Sequence, residues 1–322
     1  MLIGLLGEHN FAENRVALVP ETIKKLCLEG AEVIFEKSCG INAGFSDDDY
    51  KNAGGEMKEN AAQIWQKANI IFKVWADFPA DFKIPDMTVI IADFSRFAGK
   101  LKTMRAFDVA KIPRISRAQA MDVLSSQGNL AGYKAALEAL NFVPKAAPMM
   151  ITAAGAVAPL KVLVWGIGVA GLQGLATAKR MGAKIFGADI RKETSSQAAS
   201  LGAVFIDENI IASRINEFDI IITAAGRYPM APILLDEKLY LRLKKNALVL
   251  DIAGNVDEKL QSPNILRQYN IVSKIADTAS RLLSNNLYNF FHLIYDSQAQ
   301  NLNFDFNDEI IKSSYIGEKR HV

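Results

Sequence analysis

Two stretches hold most of the residue types that could do chemistry. In KVLVWGIGVAGLQG, Gly166, Gly168 and Gly171 have the spacing G-x-G-x-x-G, directly after a short apolar run and at the start of a helix-like pattern. Gly166 would permit a tight turn, Gly168 would let backbone approach a pyrophosphate, and Gly171 would allow the helix to pack closely. The helix start adds unpaired N–H groups and partial positive charge. Asp189, at the end of the next strand-like run KIFGAD, would accept hydrogen bonds from the adenosine ribose and repel a 2′-phosphate, so the spacing predicts NAD(H) as cofactor. Val169, Ala170, Ile190 and Arg191 in these two turns, and Ala224 and Ala225 after the run FDIIIT, are the remaining candidate contacts. Arg191 would soften the preference against NADP if it faced the site; a solvated face is its ordinary place. The plainer alternative for the whole motif is a glycine turn that only packs tightly.

The second stretch is PRISRAQAMDVLSSQGNLAGY, Pro113 to Tyr133, polar inside an apolar chain. Ile115, Ala118, Met121 and Leu124 recur every three residues, which predicts a helix from Ser116 with one buried stripe and with Gln119, Asp122, Ser125 and Ser126 on another face. Ser116-x-x-Gln119 also matches a capping box, and Arg114, Arg117 and Asp122 would make a surface ion-pair cluster. Spacing alone leaves a binding site and these structural roles level.

The elements that must carry these residues alternate between strand-like and helix-like patterns. LIGLLG, AEVIFE and IIFKVWA read as strands. ETIKKLCLEG reads as a helix closed by Gly30, FSDDDYKNAGG as a short helix capped by Ser46, and AAQIWQKAN as another helix. The second half repeats the alternation, from KVLVWG through AVFI and DIIITAA to ALVLDIAG. The fold class expected is α/β, two Rossmann-like domains with parallel sheets. The apolar helix-like NNLYNFFHLIYD and the polar, strand-like tail NFDFNDEIIKSSYIG would pack back on the first domain. The N-terminal domain is then discontinuous, 1–127 and 286–322, around a nucleotide-binding domain at 128–285.

Composition narrows the partners. Half of the 322 residues are hydrophobic, and 37 basic against 35 acidic residues give a net charge of +2, with no footprint for nucleic acid or a membrane surface. Cys27 and Cys39 have neither metal-ligand nor disulfide spacing and read as buried small hydrophobes; no metal site is expected. The apolar run from Ala146 to Gly174 is interrupted by Pro148, Pro159 and Lys161, so no direct membrane insertion is expected.

PRISRAQAMDVLSSQGNLAGYKA strongly resembles the segment that marks the NAD(H)-binding component of proton-translocating NAD(P) transhydrogenase. The resemblance extends through ENRVALVPETIKKL, GFSDDDYKNAGGEM, ITAAGAVAP and DEIIKSSYIG, nearly the whole chain. It implies two α/β domains of the kind shared with alanine dehydrogenase. It also implies that Arg114, Gln119, Asp122 and Ser125 hold the nicotinamide end of NAD(H), facing NADP(H) on a partner β subunit. Further implications are a homodimer on the cytoplasmic face of an inner membrane, and coupling to proton movement through a membrane-embedded subunit.

Alanine dehydrogenase is the rival, sharing the architecture, Arg15 and Lys73. That reaction needs a protein acid or base, a histidine in its family. The chain's three histidines, His9, His292 and His321, all lie away from Asp93–Phe97, where the dehydrogenase pattern would put it. The plain readings are a loop residue for His9, a satisfied helix residue for His292 and a frayed terminus for His321, with Arg15 and Lys73 paired to nearby acids. A third reading is a lapsed NAD-binding assembly protein. Its motive is a departure from the family: the long insertion with a mobile, tyrosine-bearing loop before FDIIITAAG is missing or greatly shortened, which predicts weaker or faster-releasing NAD(H) binding. Tyr228 in GRYPMAP would substitute in part or simply pack on the domain.

Overall fold

The structure is a computed structural model that describes residues 1–10, 12–78, 88–97, 105–296 and 298–317. The chain opens with β1 (Leu2–Leu5), α1 (Pro20–Leu28), β2 (Glu32–Glu36), α2 (Asp47–Asn52), β3 (Glu56–Lys58), α3 (Ala61–Trp65), β4 (Ile70–Trp75), β5 (Val89–Asp93) and β6 (Arg105–Asp108). Helix α4 (Val123–Phe142) leads to a hairpin of β7 (Met150–Thr152) and β8 (Gly155–Val157). There follow β9 (Lys161–Trp165), α5 (Val169–Arg180), β10 (Lys184–Ala188), α6 (Thr194–Ser200), β11 (Val204–Phe205), α7 (Glu208–Arg214), β12 (Ile220–Thr223), α8 (Glu237–Tyr240), β13 (Leu248–Asp251) and β14 (Ile265–Arg267). The chain ends with α9 (Ala276–Ile294), the strand pair β15 (Tyr295–Asp296) and β16 (Asn301–Leu302), and α10 (Glu309–Ser314).

These elements form two compact units, Met1–Gln127 with Ser273–Val322, and Gly128–Val272. Each has a six-stranded parallel sheet, in the orders β3-β2-β1-β4-β5-β6 and β11-β10-β9-β12-β13-β14. Central strands such as IIFKVW and VIIAD are buried throughout, as parallel strands covered on both faces must be. Gly30 and Ser46 act as read, Gly30 taking a positive φ after α1 and Ser46 capping α2; the structure adds Pro20 at the start of α1 and Asp49, which completes a capping box with Ser46.

The discontinuous first unit has its second boundary earlier than expected, at 273 instead of 286. Three serines before residue 286 hold the returning segment to the first unit. Ser273, Ser280 and Ser284 accept from the backbone N–H groups of Asn14, Val16 and Val19 at 2.7, 3.0 and 3.1 Å. Ala276, Ala279 and Leu283 are buried on α9, which also carries Ser280 and Ser284. The tail is a second correction, because EIIKSS is the helix α10, capped by Asp308, and not a strand. Asp308 accepts from the N–H groups of Ile310 and Ile311, while Ile310, Ile311 and Ser314 turn inward. Cys27 and Cys39 are free and half-buried against the first core, not fully inside it.

Among the described residues no helix is long and apolar enough to cross a membrane, and no His, Cys, Asp and Glu side chains are grouped to hold a metal ion. The β7–β8 hairpin is exposed along both strands, with Met150 46% and Ile151 77% accessible.

Candidate functional site

The second unit has its topological switch point between β9 and β12, where ligands of open α/β sheets bind beyond the strand ends. The three glycines there meet different surroundings. At Gly166, with φ +100°, a Cβ would lie 2.5 Å from the Ala225 nitrogen and 2.6 Å from the Ala224 carbonyl carbon. A Cβ on Gly171 would lie 1.9 Å from the Gly166 oxygen. At Gly168 a Cβ would meet nothing within 4 Å, although its φ of −89° suits any residue. Two of the glycines are therefore required by packing, and the third faces open space at the start of α5. No side chain caps that helix, so the N–H groups of its first turn, around Val169 and Ala170, are left for a ligand. This geometry fits a dinucleotide pyrophosphate.

Asp189 is nearly buried and already engaged. Its Oδ2 accepts from the Ile167 N–H at 2.7 Å and from Arg191 Nη2 at 2.9 Å; its Oδ1 accepts from the Arg191 N–H and Nε, both at 2.9 Å. Burial pushes the carboxyl up, but the Arg191 bonds and the backbone N–H groups outweigh it and hold the group below its ordinary value. Arg191 therefore does not simply lie on a solvated face, as read from sequence. Its guanidinium bridges both oxygens while its side chain stays 58% accessible. Ile190 beside it is an exposed apolar side chain at the lip of the crevice.

Two residues of the crevice floor were not singled out from sequence. Asp251, fully buried at the end of β13, accepts from Thr223 Oγ1 at 2.9 Å and from the N–H groups of Ala253, Gly254, Asn255 and Val256 at 2.8 to 3.1 Å. Asn255 accepts from the Ala225 N–H at 3.0 Å and donates to the oxygens of Ala225 and Pro232 at 2.7 and 2.8 Å. Together they fix the Ala224–Ala225 turn that Gly166 abuts. The signal was DIAGN, an acid ending an apolar strand just before a glycine turn. Tyr228 stacks on Tyr269 at 4.3 Å, packing on its own domain.

In the first unit, the polar segment departs from the helix expected from Ser116. Residues Ser116–Met121 are a 3₁₀-helix, whose three residues per turn suit the spacing of three, and α4 begins only at Val123. The Ser116–Gln119 capping box is absent, because Ile115 occupies the cap position and no side chain bonds there. Asp122 serves instead, for α4: its carboxylate accepts from the Ser125 N–H at 2.9 Å and the Ser125 hydroxyl at 2.6 Å. Arg117 pairs with Asp308 at 2.5 Å, so the expected cluster with Arg114 and Asp122 does not form. Arg114 and Gln119 are exposed, with no side-chain partner among the described residues. Of the four candidates, the structure joins only Asp122 and Ser125.

Arg15 and Lys73 are buried with acids of their own chain. Arg15 Nε and Nη2 reach the two oxygens of Glu13 at 2.9 and 2.7 Å, and Nη1 donates to Gln127 at 2.7 Å. Lys73 Nζ donates to the Gly7 oxygen at 2.7 Å and lies 2.9 Å from Asp77 and 3.5 Å from Glu8. Burial pushes the Glu8 carboxyl up to about 8 despite the pull of Lys73. His9 is an exposed loop residue 3.3 Å from Glu36, and His292 of α9 lies 3.2 Å from Glu29. His321 lies outside the described residues.

Comparison with known proteins bears on both units. Residues 4–131 match the family described as alanine dehydrogenase/PNT, N-terminal domain, and residues 135–322 match its C-terminal domain. The first of the parts that make up the NAD(P) transhydrogenase subunit alpha of Rhodospirillum rubrum is 33% identical, over 98% of this chain and 96% of its own length. That alignment runs over 372 positions, more than the chain's 322 residues, so the relative carries segments with no counterpart here. The crystal structure of transhydrogenase from Sinorhizobium meliloti is 32% identical with a TM-score of 0.86, covering 99% of this chain and 97% of its own. An L-alanine dehydrogenase structure reaches a TM-score of 0.81 over 98% of this chain and 94% of its own, at 20% identity, a likeness of fold alone. The chain belongs to the alanine dehydrogenase/PNT family, and within it resembles the NAD(P) transhydrogenase alpha subunits over nearly its full length.

Proposed function

We propose that this chain is the NAD(H)-binding alpha component of a proton-translocating NAD(P) transhydrogenase. It exchanges hydride directly between its own NAD(H) and NADP(H) held by a partner β subunit. The observation that carries the reading is the open space over Gly168 at an uncapped helix start, with the Asp189 carboxylate bonded to the same loop. Gly166, Gly168, Val169, Ala170 and Gly171 receive the pyrophosphate; Asp189, Ile190 and Arg191 flank the adenosine; Ala224 and Ala225 form the inner wall. When bound, the nicotinamide ring supplies or accepts the hydride. Arg114 and Gln119 offer unused polar ends to orient its carboxamide, and the Asp122–Ser125 pair holds the helix start behind them. Orientation matters because hydride transfer needs reacting atoms about 3 to 3.5 Å apart.

Direct exchange between two nicotinamides calls for no protein proton donor. The lack of a histidine in Asp93–Phe97 and the pairing of Arg15 and Lys73 with internal acids favour this reading over amino-acid oxidation. The exposed β7–β8 hairpin supports a homodimer. Membrane-embedded and NADP(H)-binding subunits complete the complex at the cytoplasmic face of the inner membrane, and proton coupling resides in them. The segments that the relative has and this chain lacks support a shortened lid and fast NAD(H) release.

The test mixes the purified chain with an NADP(H)-binding component and follows hydride transfer from NADPH to an oxidised NAD analogue, with alanine plus NAD as control. Transfer that requires both proteins, without alanine oxidation, is expected. NADH formation from alanine would instead make the chain an amino-acid dehydrogenase, and silence in both assays, with NADH still bound, a lapsed nucleotide binder.

A further inference from the structure

The Asp189 carboxylate has about four acceptor positions, and four donors fill them. Two are fixed backbone N–H groups, from Ile167 and Arg191; the other two belong to one guanidinium. A ribose diol at Asp189 needs acceptor positions that this guanidinium occupies. The backbone donors cannot leave without opening the glycine loop, for Ile167, or the turn after β10, for Arg191, whereas the Arg191 side chain, more than half accessible, can. Once displaced it remains tethered two residues from the carboxylate, beside the 2′ position of the ribose. A guanidinium there suits a 2′-phosphate through paired charge-assisted bonds.

We infer that Arg191 is an exchangeable internal ligand of Asp189: it occupies the diol's place on the carboxylate, and the ribose displaces it when nucleotide binds. This inference rests on the reading that the second unit's crevice binds NAD(H). Two consequences follow for specificity. Competition from Arg191 lowers affinity for NAD(H), and the released guanidinium narrows the discrimination against a 2′-phosphate that Asp189 alone would impose.

The experiment measures binding of NADH and of NADPH, by nucleotide fluorescence, to the full chain and to Arg191→Ala, Arg191→Gln and Gly168→Val. Circular dichroism checks the fold of each variant. In Arg191→Ala, NADH is expected to bind up to about fivefold tighter, the worth of a half-exposed ion pair that no longer competes. NADPH is expected to bind about tenfold weaker or more, through loss of a charge-assisted pair. Arg191→Gln should shift both affinities in the same directions by less. An NADH-to-NADPH preference unchanged within twofold in Arg191→Ala, or weaker NADH binding, would overturn the inference while leaving the crevice assignment intact. NADH binding absent from the wild-type chain, or unaltered by Gly168→Val, would overturn the crevice assignment and the inference with it.

Discussion

Both units carry the same strand order, and so the same crevice beside their first strand, yet the residues use it in opposite ways. In the second unit the turn after β9 is short and bare: the helix start is uncapped, and space stands over Gly168. In the first unit a long loop separates β1 from α1. Its Glu8, Glu13 and Arg15, with Lys73 and Asp77 from around β4, form a buried ionic cluster there. The start of α1 is also engaged, since Val19 donates to Ser284 of α9. Topology supplies a crevice, and the first βα turn decides whether a ligand or the protein's own charges fill it.

The comparison breaks most severely at Lys73. Lys73→Met leaves the Asp77 carboxylate buried without its cation, which costs about 3–5 kcal/mol. Urea unfolding should show an early transition from the first unit, while NADH binding to the second keeps its wild-type affinity. A matching loss of NADH affinity would show that the first crevice is not merely structural. Next is Gly168→Val, in which a side chain occupies the space over the loop. A penalty of about 2 kcal/mol from overfilling the ligand's space weakens NADH about thirtyfold, with the unfolding midpoint little changed.

Glu8→Gln sharpens the contrast through pH. Because the folded carboxyl is raised from the ordinary 4.5 to about 8, its contribution to stability is complete below 4.5 and is lost as pH rises through 8. Unfolding measured across that window should show stability falling with pH in the wild type and a flatter profile in Glu8→Gln. The smallest effect is at Asp122, where Asp122→Ala costs about 1 kcal/mol as a lost helix cap. Asp122→Asn should restore that stability, because asparagine caps as well. A hydride-transfer rate that stayed low in Asp122→Asn would then report contact with the nucleotide, separately from capping.

What sequence revealed and what it concealed divide by range. The glycine spacing, the buried parallel strands, Gly30 and the Ser46 cap were legible because each acts on neighbours a few residues away. Ser273, Ser280 and Ser284 were not, because their partners lie about 260 positions earlier, and a serine in a helix gives no sign of what it will meet. The spacing of three through Ile115, Ala118 and Met121 was visible but assigned to the wrong helix type. The cap was assigned to Ser116 when Asp122, six residues on, holds the longer helix. Arg191 was judged by its usual exposure; it is exposed, and it is paired as well.

The Asp251 nest has a consequence for motion. Backbone amides exchange with solvent only when their bonds open, and those of Gly254, Asn255 and Val256 are tied to one buried carboxylate that also holds Thr223. These amides should exchange at the rate of global unfolding, slower than those of the first turn of α5 in the same crevice. The crevice thus combines a floor that stays shut for the lifetime of the fold with a rim whose hydrogens trade freely with water.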